Sequence, residues 1–224
     1  MTQTDMVTLE KVKSDVVVKM YMKKADDFLG ILGYTEHGQR HATLVSNIAI
    51  NLMKRLEMNE RETELAGIAA YLHDIGNVIN REFHAQSAAL LSHSILTKIG
   101  LPDEDVADII AAIGNHHETD GNPISNIAAA VILGDKSDVH RSRVRNPAMI
   151  KFDIHDRVNY ASTASFLRVI PEKKVISLEV TIDTEISQVM EYFEIFLSRM
   201  IISRRAAAFL SCAFELVING NKLM

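Results

Sequence analysis

From Ile127 to Leu133 every residue is apolar, and two positions later stands a carboxylate, Asp135. A helix through this stretch has no polar face to turn to water, so other elements must surround it on every side. That requirement points to a multi-helix core with the helix predicted over 125–141 at its centre. Asp135 then lies where an unpaired charge is prohibitively costly, so the fold must bring it compensation. A metal cation is one source; a helix cap or an arginine is another.

The flanking sequence supplies the surrounding helices. Residues 41–57 place Leu44, Val45, Ile48, Leu52 and Leu56 in one stripe, and 61–72 place Leu65, Ile68, Ala69 and Leu72 likewise. Gly76 is a natural terminator soon after His73-Asp74. A helix over 84–99 stops at Gly100, and the next begins after Pro102 with Asp103, Glu104 and Asp105 suited to a first turn. It runs to about His117, and Gly121-Asn122-Pro123 makes a loop.

The character changes after Pro147. Residues 165–170 and 175–182 are rich in β-branched and aromatic types, and Pro171 to Lys174 make a hairpin connection. A helical pattern follows from Glu185 to about Ser211, and Phe214 to Ile218 read as a third strand before Asn219-Gly220. The expected fold is therefore mainly α: a helical catalytic unit over 1–146 and a small α+β appendage, a β-hairpin plus a long helix, over 152–224. Tyr192, Phe193, Ile195, Phe196 and Leu197 cluster densely enough to mark an interface, such as a homodimer contact, or the face that folds onto the bundle.

A length of 224 residues suits one sizeable core with a smaller addition. The net charge of −5 gives no global basic field, which argues against indiscriminate binding to DNA or anionic lipid. The one cysteine, Cys212, excludes an intrachain disulfide and reads as a small core residue. Met1 to Glu10 lack the basic start and apolar block of a secretory signal, and charges interrupt the apolar stretches. A cytoplasmic location without membrane contact is expected. No Gly-rich phosphate loop, Ser-His-Asp arrangement or cysteine zinc site is present.

Histidines and acids recur along the predicted helices: His41 at a start, His73-Asp74 and His116-His117-Glu118 at ends, and Asp135 within the apolar run. Singly, each reads as a cap or a core residue; together they suit divalent first-row ions. The order His41, His73-Asp74, Asp135 resembles the HD superfamily of metal-dependent phosphohydrolases over roughly residues 35–146. The likeness extends through Leu72-His73-Asp74-Ile75-Gly76, His84, His116-His117-Glu118 and Asp120-Gly121. The resemblance implies an HD-domain helical bundle with metal ligands from His41, His73, Asp74 and Asp135. It implies hydrolysis of a phosphomonoester or phosphodiester, usually in a nucleotide, with His73, Asp74 and Lys136 at the catalytic centre. The ion, one of Mn, Fe, Co, Ni, Zn or Mg, would acidify water and offset charge on a phosphoryl oxygen. A second ion per chain, bridged by Asp74, would use His84, His116 and His117, as in the HD-GYP phosphodiesterases; alternatively the adjacent histidines serve as one ligand and one phosphate contact. Asn77 stands where that branch has lysine, and Gly121-Asn122-Pro123 where it has Gly-Tyr-Pro, which argues against cyclic-dinucleotide specificity.

His37 shares a helical face with His41 and reads either as an outer ligand or substrate contact or as an ordinary surface histidine. Lys136, Arg141, Arg143 and Arg145 follow Asp135 and give a local positive field suited to phosphate oxygens; Lys136 and Arg141, with His117, are the expected substrate contacts. Asp138 is spaced to orient a ligand histidine. This stretch also resembles HD-type ribonucleases, so an RNA substrate stands as an alternative to a small nucleotide. A regulatory HD module that binds a nucleotide or partner without turnover is the other. His93, His140 and His155 have no partner at ligand spacing.

Overall fold

Two helices are buried on nearly every side, and the rest of the chain wraps them. In α4 (Glu60–Leu72) all residues from Leu65 to Leu72 are buried, and in α7 (Asn126–Ser137) all from Ile127 to Ser137. Each is started by a side-chain cap: Asn59 Oδ1 accepts from the amide of Arg61, and Ser125 Oγ from that of Ala128. The computed structural model describes residues 7–224. Residues 1–6, the larger part of the polar Met1–Glu10 segment, lie outside the described residues.

Around this pair stand α1 (Leu9–Ser14), α2 (Val16–Ile31), α3 (Gln39–Arg55), α5 (His84–Ile99) and α6 (Asp103–Gly114). α3 packs against both α4 and α7, α5 against α6, and α6 against both central helices. The helix stop at Gly100 is a left-handed residue (φ 94°) whose amide bonds back to Leu96. Two predicted helices end early. α6 stops at Gly114, which leaves His116-His117 on the following loop. α7 stops at Ser137, because Asp138 swings out of helical geometry (ψ 78°); only a single 3-10 turn, Arg141–Arg143, remains of the predicted continuation.

After α8 (Ile154–Ala161) come β1 (Ser162–Ile170) and β2 (Val175–Ile182), an antiparallel hairpin closed through Pro171–Lys173, as the sequence pattern predicts. α9 (Val189–Phe209) then crosses over, so that β3 (Ala213–Ile218) lies parallel to β2. A short β4 (Asn221–Lys222) completes the order β1-β2-β3-β4. Ile176, Leu178, Val180, Phe214, Leu216 and Ile218 are buried, and α9 packs on both this sheet and α7. One apolar cluster thus runs without interruption from Val7 to Ile218, across helical and α+β parts alike.

In the aromatic segment of α9, Tyr192 and Phe196 are buried, Phe193 and Ile195 pack against the core, and Leu197 is half exposed. Most of that cluster is thus an inward face. Cys212 is buried and free. Among the described residues no helix is long and apolar enough to cross a membrane.

Candidate metal centre

Three helix C-termini meet at one place. His73 and Asp74 directly follow α4, His116 comes just past α6, and Asp135 lies in the last turn of α7. Each of these three ends carries the negative pole of its helix dipole, which favours positive charge beside it. His41 enters from the first turn of α3, and His84 opens α5. After Asp74 the chain tightens into a 3-10 turn, Ile75–Val78, pressed against α5. Gly76 makes that contact possible: a Cβ there would fall 2.1 Å from the carbonyl oxygen of His84 and 2.4 Å from the amide nitrogen of Ala88. The close approach brings His84 to Asp74.

The ligand atoms face one another. His41 Nε2 lies 3.3 Å from His73 Nε2, 3.4 Å from Asp135 Oδ1 and 3.7 Å from Asp74 Oδ2. His73 Nε2 is 3.4 Å from Asp74 Oδ2 and 3.7 Å from Asp135 Oδ1. Asp74 presents its other oxygen to His84 Nε2, at 3.5 Å. Three overlapping buried triads result: His41, His73 and Asp74; His73, His116 and Asp135; Asp74, His84 and His116.

The outward nitrogen of each ring is tied down. His73 Nδ1 donates to the carbonyl of Ala70 (2.7 Å), His84 Nδ1 to that of Arg81 (2.9 Å) and His116 Nδ1 to that of Ile113 (2.7 Å). His41 Nδ1 donates to Asp138 Oδ2 at 2.7 Å. A carbonyl or carboxylate can only accept, so Nδ1 carries the hydrogen and, in the neutral ring, Nε2 turns a bare lone pair inward. Two such lone pairs at 3.3 Å repel unless a proton or a metal cation lies between them. The electrostatics agree. Burial works against a charge on His73, yet Asp74 and Asp135 hold its proton up to about 10. Burial pushes His84 down to about 4 and His116 well below the usual range. Despite burial, His73 keeps Asp74 ionised, and Lys136 keeps Asp135 so. The donor set fits a divalent cation, for which the His73 proton is a monovalent substitute.

Lys136 is buried and bridges two acids, Asp135 Oδ2 and Glu118 Oε2, each at 2.6 Å. The other oxygen of Glu118 lies 3.5 Å from Arg199 Nε on α9. A line of alternating charge therefore runs from the ligand cluster to the C-terminal helix. Glu118 stands in the His116-His117-Glu118 motif with no role evident from its spacing, and no local signal singles out Arg199, which chain topology alone brings here. Asn77 likewise went unassigned; its amide donates to Asp74 Oδ1 at 2.9 Å.

Of the residues expected at the site, His41, His73, Asp74, His84, His116 and Asp135 are assembled in the triads. His117 joins none of them; it stands at the rim, its ring 4.9 Å from that of His84 and its Nδ1 2.9 Å from Thr119 Oγ1. His37 lies beside His41, ring centroids 5.5 Å apart, with Nδ1 donating to the carbonyl of Thr35. Arg141 makes no hydrogen bond to the cluster among the described residues, and its guanidinium lies 5.3 Å from the ring centroid of Tyr160. Arg143 turns inward and is buried, donating to the carbonyl of Asp138 at 2.8 Å, while Arg145 pairs with Asp26.

The HD domain family model matches residues 38–140, a span that holds every member of the three triads. An uncharacterized protein of Methanocaldococcus jannaschii, MJ1020, is 33% identical, over 73% of this chain and 74% of that protein. Buried histidines and acids able to hold a metal, on a mainly helical scaffold and within a matched segment, belong together: the chain is a member of the HD domain family.

Proposed function

We propose that the protein is a metal-dependent phosphohydrolase that cleaves a phosphomonoester or phosphodiester bond in a nucleotide or a related small phosphate ester. One observation carries this reading: the Nε2 atoms of His41 and His73 converge with oxygens of Asp74 and Asp135, while every Nδ1 is anchored outside. Membership of the HD family, whose members are generally hydrolases, supports it.

In this reading His41, His73, Asp74 and Asp135 hold one divalent ion, and Asp74, with His84 and His116, offers a place for a second. The two oxygens of Asp74 face different histidines, which favours a bridging role. A divalent ion held there supplies Lewis-acid polarisation of a phosphoryl oxygen and a lowered pKa for water. The chain's own groups do the rest. Asp138 and the Ala70 carbonyl fix the imidazoles. Lys136 is held by Asp135 and Glu118 with donor capacity left for a phosphoryl oxygen. His37 and His117 contact the substrate from the rim, with Arg141 beyond them. Beside His84 and His117 a recess of about 250 Å³, lined also by Arg81, Phe83 and Gln86, receives the leaving group. Its size favours a small ester over structured RNA. Residues 1–146 form the catalytic unit, and 152–224 the α+β unit that supplies Arg199.

Elemental mass spectrometry on protein purified without chelator, alongside Asp74→Ala, tests the reading, followed by a screen of nucleotides and other phosphate esters with the ion found. The expected result is one or two ions per chain, lost in the variant, and ester hydrolysis that needs the ion. Protein that takes up none of Mn, Fe, Co, Ni, Zn or Mg would sink the reading. Metal bound without turnover would leave the regulatory alternative.

A further inference from the structure

α9 has two faces with different fates. Inward, Tyr192, Phe196, Met200 and Ala206 are buried, and Arg199 reaches Glu118. Outward, Met190 (73% exposed), Leu197 (50%) and Ile201 (43%) form an apolar stripe, continued by the exposed Ala208. The spacings of seven, four and seven keep the stripe on one side of the helix along its whole length, roughly 30 Å. Ile124, 50% exposed, lies on the loop that Asn122 ties to Arg205. Two exposed charges share this face, Glu194 near one end and Arg204 near the other, and neither has an ion-pair partner among the described residues.

The order of these residues is self-complementary. Laid antiparallel on a second α9 about a two-fold axis at residue 199, the stripe sets Met190 against Ala208, Glu194 against Arg204 and Leu197 against Ile201. Every pairing occurs twice, as an isologous contact demands. A parallel arrangement would set Glu194 against Glu194 and Arg204 against Arg204. We propose that the outer face of α9 binds a second copy of this chain, forming a two-fold antiparallel helix pair with Leu197 and Ile201 at its centre and Glu194–Arg204 ion pairs at its ends. The helical turn at the axis carries Arg199 on its inner side, so the interface lies directly behind the residue that holds Glu118. This inference does not depend on the hydrolase reading.

Light scattering coupled to size exclusion on the full chain tests it. Wild-type protein is expected near twice the 25.0 kDa chain mass at micromolar concentration. Glu194→Arg and Arg204→Glu should each weaken the dimer about tenfold, because symmetry turns each reversal into two like-charge contacts, and the double reversal should restore it. Leu197→Glu should yield a monomer with unchanged circular dichroism, since the position is exposed. Leu197→Cys with Ile201→Cys should crosslink two chains under mild oxidation, Cys212 being buried. A wild-type monomer throughout this range overturns the proposal. So does a dimer indifferent to both Leu197→Glu and the reversals, which would place the contact on another surface.

Discussion

Glu118 sits between two cations, 2.6 Å from Lys136 and 3.5 Å from Arg199. Burial raises its pKa, but Lys136 and Arg199 outweigh that and hold the carboxyl far below its ordinary 4.5. A carboxyl depressed in the folded state stabilises the fold fully above its unfolded value and loses that contribution as pH falls. Glu118→Gln should therefore cost about 3 kcal/mol at neutral pH, with the deficit shrinking below about pH 4.5. Thermal melts of both proteins from pH 7 to pH 3 check this; a constant gap would mean the ion pairs contribute nothing. At this scale the six residues of the buried triads are all motif residues of the sequence, and the structure brings them together. The spacing of Asp138 matches it to a candidate ligand histidine, and it bonds His41. Arg199 is not matched, since it lies outside every motif and only the packing of α9 on α7 brings it to Glu118.

Starts and stops carry most element boundaries, and α7 departs from its predicted end for a long-range reason. The stop at Gly100, the acidic first turn of α6 and the β1–β2 hairpin follow local chemistry, and the structure reproduces them. Periodicity carries α7 past Ser137 because it cannot register that Asp138 must leave the helix to reach His41 and Arg40. The 3-10 turn after α4 is the element on which the site's geometry most depends. A methyl group at Gly76 cannot fit against the His84 carbonyl and the Ala88 amide without separating that turn from α5. Gly76→Ala is expected to cost about 3 kcal/mol or more, read as a lower urea midpoint, and to reduce metal uptake by moving His84 from Asp74. A midpoint equal to wild type would show that the two elements separate freely.

For the whole molecule, the sequence divides at Pro147 in composition, while the core does not divide. α9 and the sheet bury their apolar faces in the cluster that also holds α4 and α7. Calorimetry of the full chain should thus show one unfolding transition, with calorimetric and van't Hoff enthalpies in agreement. Two resolved transitions would instead make residues 152–224 an independent unit. The mainly helical class and the hairpin-plus-helix composition of the C-terminal part were readable from periodicity. The parallel pairing of β2 with β3 was not, because strand direction in a sheet is a property of the crossover and leaves no local pattern.

That parallel pairing also orders events in time. β2 occupies the middle of the sheet, yet its second neighbour is β3, separated from it by all of α9. During synthesis the hairpin β1–β2 leaves the ribosome with the β2 edge that β3 will cover still bare, and it stays bare until α9 has emerged and docked on α7. The loop must close before the last strand is rewarded with any contact, so sheet completion is the slow, non-local step. Until then the nascent chain carries an unpaired β-edge, the feature most prone to pairing with the wrong neighbour. The residues that seal it, Ala213 to Ile218, follow β2 only after the whole of α9.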